Sequence, residues 1–245
     1  MQINVKSKQF NEDEHKNVYY KYLGQNYKFK DNKYRYSIVI ANHVSWIEVL
    51  NLFSLGFGFL GKHEMENVPL IGFIMKCIES LFISRNDKNS RELALDEIRC
   101  RQIEYYNKDR ESSILIYPEG TISNGNYLLP FKKGAFYSMY PVKPFLNITD
   151  NTSNSFDLSQ GSVSAIDHIL ISSCFFNISY SFMELPTIEF TDYAKQNNKI
   201  DKNEEEYITF MNTCHNIMCE IGKLKKTTKG YKESNEYLKN IKNNN

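Results

Sequence analysis

Residues 36–48 read "YSIVIANHVSWIE". The first half, Tyr36 to Ala41, is a short β-branched run and reads as a buried strand. The second half changes character. Ser45 and Glu48 match the Ser-x-x-Glu capping box that opens a helix, so the chain passes from a strand through a short turn into a helix, with His43 in the turn. Residues five apart on one regular helix lie about 140° apart, so His43 and Glu48 share no helical face. They meet only with His43 in the turn and Glu48 in the first turn of the helix. An imidazole so placed is suited to general-base work, and a carboxylate can hold its ring and tautomer. A plainer reading has Glu48 capping Ser45 and His43 as an ordinary turn residue. The stretch alone leaves both open.

Further along, strands and helices keep alternating. Leu70 to Glu79 reads as a helix, Leu81 to Ser84 as a strand, and Asn89 to Asn107 as a long amphipathic helix carrying Leu93, Leu95, Ile98 and Ile103. Ser113 to Tyr117 is a strand ended by Pro118, Gly134 to Tyr140 a short helix stopped by Pro141, and Val142 to Leu146 a strand between prolines. Ile178 to Leu185 alternates as a strand, and Asn203 to Leu224 reads as a helix. This pattern predicts the α/β class: a single domain with a mixed, mostly parallel sheet covered by helices. Residues 1–35 are polar and aromatic without a clear period and stand apart as an N-terminal segment. The domain is placed at 36–224, with a Ser/Asn-rich loop from Asn151 to Gly161. Residues 225–245 read as a basic, polar, solvated tail.

Composition removes several classes. The 245 residues are 41% hydrophobic, which suits a globular core, and 30 basic against 29 acidic residues give a net charge of +1. That balance gives no basis for a nucleic-acid partner. Cys77, Cys100, Cys174, Cys214 and Cys219 form no Cys-x-x-Cys pair and read as reduced thiols. The opening "MQINVKSKQFNEDEHKN" lacks the apolar stretch of a signal peptide, and no segment offers the ~20 apolar residues of a spanning helix. The sequons at Asn147, Asn151 and Asn177 therefore read as chance. Gly56 to Gly61 satisfies Gly-x-Gly-x-x-Gly, but it follows a helix and not a strand, which argues against a dinucleotide site. His63-Glu64-Met65-Glu66-Asn67 begins like a zinc-protease helix and lacks the second histidine, so no metal is expected.

Four blocks lie in order: "NHVSWIE", then "KHEMENVPLIGFIMKCIESLFISR" from Lys62 to Arg85, then Tyr117-Pro118-Glu119-Gly120-Thr121, then "FKKGAFYSMYPVKP" from Phe131 to Pro144. Together they resemble the glycerolipid acyltransferase family, which moves acyl chains from acyl-CoA to lysophospholipids or glycerol phosphates. The resemblance runs from about Tyr36 to Leu146 and more weakly beyond. It implies that His43 is the general base and Glu48 its orienting acid. It also implies that Lys62, Arg85, Glu119, Gly120 and Thr121 contact substrate. Acyl-CoA would be the donor substrate with no further cofactor, a lysophospholipid the acceptor, and a membrane surface the workplace, on the cytoplasmic face of the endoplasmic reticulum. Attachment is expected through apolar residues between Trp46 and Leu60.

Two departures from the family pattern matter. Glu48 stands where the family has Asp, one methylene shorter. Ile122 stands where many lysophosphatidate acyltransferases carry Arg, which points to lysophosphatidylcholine or lysophosphatidylethanolamine as acceptor. A glycerol-3-phosphate or lysophosphatidate acyltransferase is the rival enzyme, and a non-catalytic lipid-binding protein of the same fold is the rival outside enzymes.

Overall fold

The computed structural model describes residues 2–29, 36–84, 87–148, 177–199 and 203–230, with isolated positions 167, 170, 171, 174, 201, 233, 236 and 240. Seven strands form one sheet in the order β1-β8-β7-β2-β5-β3-β4. They are β1 (Gln2–Lys8), β2 (Ile38–Ala41), β3 (Gly58–Lys62), β4 (Leu81–Ile83), β5 (Ile114–Ile116), β7 (Val142–Ile148) and β8 (Asn177–Glu184). Every neighbouring pair is parallel except β7 with β8. The expected fold, a mostly parallel sheet with helices, is the one found.

β2 is central, and its composition shows why. Ile38 and Ile40 face one core cluster, Val39 and Ala41 the other, and none of the four is exposed to solvent. A strand covered on both faces has no polar side, so it reads as a continuous apolar run. On the first face the helices α1 (Glu12–Leu23), α4 (Lys88–Asn107) and α6 (Glu206–Gly222) contribute Tyr19, Ile98, Phe210 and Ile217. On the second, Leu52 of α2 (Trp46–Ser54) packs with Phe59 and Phe145. The short helices α3 (Ile71–Cys77) and α5 (Asp192–Asn197) complete the set.

The sequence reading departs from the structure in four places. Residues 2–23 belong to the folded body: β1 pairs with β8 from Gln2↔Asn177 to Lys8↔Met183. In α1, Lys21 and Tyr22 both donate to Glu220 of α6. Residues 134–140 form no α-helix; a 3-10 turn at Lys133–Ala135 takes that place. The chain from Lys225 enters a second, two-stranded sheet, where β9 (Lys225–Lys226) pairs with β6 (Tyr127–Leu128). The glycine-rich run leads into β3, which begins at Gly58. A Cβ on Gly58 would lie 2.7 Å from the carbonyl oxygen of Ile78, so glycine there serves close backbone packing. Asn147 is buried and bonded, which removes its sequon. The loop from Asn151 to Gly161 lies outside the described residues. All five cysteines are free thiols. Among the described residues no helix is long and apolar enough to cross a membrane.

Candidate active site

The carboxyl ends of β2, β3, β5 and β7 lie on one edge of the sheet, because these strands run parallel. Ligands of open parallel sheets bind at that edge. β2 delivers Asn42 and His43 to it, β5 delivers Tyr117 to Gly120, and β3 ends in Lys62.

His43 Nδ1 lies 2.6 Å from Glu48 Oε1. The same oxygen accepts from the Val44 N–H at 2.6 Å, and Oε2 accepts from the Ser45 N–H at 2.6 Å. Glu48 thus both caps Ser45 and contacts the His43 ring. The extra methylene matters here: rooted in the first turn of α2, the longer arm folds back over two helix-start N–H groups and still meets the ring. Glu48 is buried. His43 keeps part of its side chain in solvent, and among the described residues nothing bonds its Nε2.

The other wall of the site comes from the turn after β5. The Tyr117 ring stacks on the His43 ring at 4.1 Å between centroids and 18° between planes. Glu119 Oε1 accepts from the His43 N–H at 2.8 Å, and Oε2 from the Leu129 N–H at 2.9 Å. Ser123 N–H donates to the His43 carbonyl at 2.7 Å. The histidine backbone is thus clasped on both its donor and its acceptor. Glu119 is buried, and burial pushes its carboxyl up to about 8 against the two N–H groups that favour its charge; the nearby Glu48 charge adds to the rise. A second clasp joins β2 to β7. The Asn42 Nδ2 donates to the Asn147 carbonyl at 3.0 Å, the Asn147 N–H donates to Asn42 Oδ1 at 2.7 Å, and Asn147 Nδ2 donates to the Asn42 carbonyl.

The sequence-predicted residues divide accordingly. His43, Glu48 and Glu119 come together. Both Glu119 oxygens are engaged with main chain, which makes it a clasp on His43 where the sequence suggested a substrate contact. Gly120 has φ +69 and sits beside the clasp. Thr121 is half-buried and makes no side-chain hydrogen bond among the described residues. Lys62 is exposed at the end of β3 and forms no ion pair among the described residues. Arg85 lies outside the described residues. Sequence reasoning missed Tyr117 as a ring partner and the Asn42–Asn147 pair.

The acyltransferase family model matches residues 25–147, just over half of the chain and the whole of the segment bearing this geometry. The chain belongs to the acyltransferase family. Among curated relatives, it is 32% identical over 138 residues to the lysophospholipid acyltransferase LPEAT1 of Arabidopsis thaliana, covering 56% of this chain and 34% of that protein. It is 26% identical over 160 residues to human lysophosphatidylcholine acyltransferase 1, covering 65% of this chain and 29% of that protein. The chain thus spans about a third of the length of such relatives. In fold it matches the crystal structure of the 1-acyl-sn-glycerophosphate acyltransferase PlsC from Thermotoga maritima, with a TM-score of 0.50 at 16% identity, covering 90% of this chain and 72% of that one.

Proposed function

We propose that the chain transfers a fatty acyl group from acyl-CoA to the free hydroxyl of a lysophospholipid, with His43 as general base. The observation that carries this is the pairing of Nδ1 with Glu48 while Nε2 is left to a reactant. The acceptor hydroxyl gives its proton to Nε2 as its oxygen attacks the thioester carbonyl. Nδ1–H stays on Glu48, which stabilises the imidazolium, as the acid does in a serine-protease triad. The tetrahedral adduct collapses to the ester and expels the CoA sulfur, which takes the proton back from His43. No bond to the protein forms, and acyl-CoA is the donor substrate with no further cofactor.

The similarity to lysophospholipid and lysophosphatidylcholine acyltransferases supports the acceptor class. Ile122 narrows it. A phosphodiester carries about one negative charge, a phosphomonoester ~1.5–2 near neutral pH. A turn with isoleucine at 122 in place of an arginine suits lysophosphatidylcholine or lysophosphatidylethanolamine better than lysophosphatidate. The work takes place at a membrane surface, on the cytoplasmic face of the endoplasmic reticulum. Leu50 on α2, Leu55 just after it, and Leu70, Ile71 and Phe73 on and before α3 are exposed and would supply an apolar face for shallow insertion. That face extends past the Trp46–Leu60 region of the sequence expectation.

Thiol release from acyl-CoA, measured against lysophosphatidylcholine, lysophosphatidylethanolamine, lysophosphatidate and glycerol-3-phosphate, tests the reading. Release with the first two is expected. Release with none would leave a lipid-binding protein. A preference for lysophosphatidate that Ile122→Arg does not strengthen would remove the acceptor assignment and keep the transfer.

A further inference from the structure

The turn that closes the site, Tyr117 to Ser123, contains an acid and no basic residue. A phosphate-bearing substrate needs a cation there, and the next block of chain supplies one. We propose that Lys132 is a phosphate-binding residue of the transfer site, its ammonium lying against Gly120, the residue after the Glu119 that holds the His43 N–H. This deepens the acyltransferase reading above and rests on it.

Three observations fix the side chain. First, the segment from Leu129 to Lys132 is bolted alongside the turn. The Leu129 N–H donates to Glu119 Oε2 at 2.9 Å, and the Lys132 N–H donates to the Pro118 carbonyl at 2.8 Å. Second, Phe131 is buried, stacked on Phe136 and set edge-on to His215. With its neighbour turned inward, Lys132 is turned outward, over the turn. Third, Gly120 has φ +69, and the space that a Cβ would take there is filled by the end of the Lys132 side chain. Glycine at 120 therefore does two things: it adopts a backbone conformation that other residues resist, and it leaves the lane through which the lysine stem passes.

The neighbouring lysine behaves differently, which argues against a general basic patch. Lys133 turns away, its Nζ 5.0 Å from the centre of the Tyr137 ring. The ligand chemistry is a phosphate oxygen. It comes either from the diester of the lysophospholipid or from the CoA phosphates.

The test uses Lys132→Met, which keeps most of the stem and loses the charge, with Lys132→Arg as rescue and Lys133→Met as the neighbouring control. Steady-state kinetics are run with acyl-CoA and lysophosphatidylethanolamine varied in turn. Calorimetric binding of free CoA and of a short-chain lysophosphatidylethanolamine is measured without turnover. Loss of one charge-assisted contact is expected to raise KM and Kd for one of the two substrates about tenfold, with kcat changed little. Lys132→Arg restores most of the affinity, and Lys133→Met leaves it at wild type. A rise for the acceptor assigns the lipid phosphate, and a rise for the donor assigns CoA. If Lys132→Met is poorly folded, Lys132→Gln is read in its place. Unchanged affinity for both substrates in a folded variant overturns the proposal. Should the wild type bind these substrates in a Lys132-dependent way and transfer nothing, the reaction falls and the phosphate contact stands.

Discussion

Glu48 and Glu119 invite comparison. Each is a buried glutamate in the chain that leaves one of two neighbouring parallel strands, and each accepts main-chain N–H groups at or beside His43. Only Glu48 also meets the imidazole. Its bonds come from the start of α2, where a helix best stabilises negative charge. Glu119 has two main-chain donors and no ring or cationic hydrogen-bond partner among the described residues, and burial raises its carboxyl to about 8. The same side chain, equally hidden, meets the imidazole ring in one turn and holds only main chain in the other. The number and kind of donors that the fold brings to each carboxyl decide which.

The sharpest break of this comparison removes the residue that both acids hold. His43→Ala is expected to lower thiol release about 10³-fold, within the range for a lost general base, with an unfolding midpoint near wild type. A folded variant with activity within a fewfold of wild type would take the base from His43.

Next comes Glu48→Gln. It is expected to lower kcat about 10²-fold with little change in KM, because imidazolium exists only along the reaction path. It also weakens the start of α2, at a cost of about 1 kcal/mol, so denaturation is measured on the same sample. A rate loss accounted for by unfolding alone would reduce Glu48 to a cap.

Glu119→Gln separates the two acids by pH. In the folded protein Glu119 holds its proton up to about 8, against 4.5 for an ordinary glutamate. A raised carboxyl costs nothing below the unfolded value, costs progressively more as pH rises through that window, and keeps its full cost above it. Wild type is thus expected to lose stability relative to Glu119→Gln between pH 4.5 and 8, read from denaturant midpoints at several pH values. A difference that stays constant over that window would place no retained proton on Glu119 and would erase the contrast with Glu48. Loss of one clasp bond is expected to slow turnover about tenfold or less, since the ring and its acid are untouched.

The smallest effect concerns Gly120, next to the clasp. Gly120→Ala is expected to destabilise by about 1 kcal/mol, because φ +69 is disfavoured once a Cβ is present. A thermal melt reads this directly. An unchanged midpoint would show that the turn relaxes freely and that the Glu119 clasp is looser than its distances imply.

Much of this was legible in local sequence. Ile38 to Ala41 announced a strand covered on both faces because no polar residue interrupts it. Ser45 and Glu48 announced a helix start because a capping box works at fixed spacing. The same spacing placed His43 within reach of Glu48. What stayed hidden depends on contacts without a local signature. β1 looked like polar coil because Val5 to Lys8 face solvent at the edge of the sheet, where lysine is common. Asn42 and Asn147 bond each other across β2 and β7, and nothing near either residue signals the other. Tyr117 belongs to a motif, yet its stacking on His43 follows only once β2 and β5 are adjacent. Glu119 was visible as a motif residue, but its job as a clasp depends on Leu129, which approaches from the next segment.

Translation makes β1 long before its partner. Gln2 to Lys8 pair with Asn177 to Met183, so most of the chain must leave the ribosome before the outermost strand has an edge to join. β2, β5 and β7, by contrast, find one another over far shorter loops, and shorter loops close at lower entropic cost. The β1–β8 ladder therefore closes the longest loop in the sheet, and the turns that hold His43 rest on ladders of smaller separation.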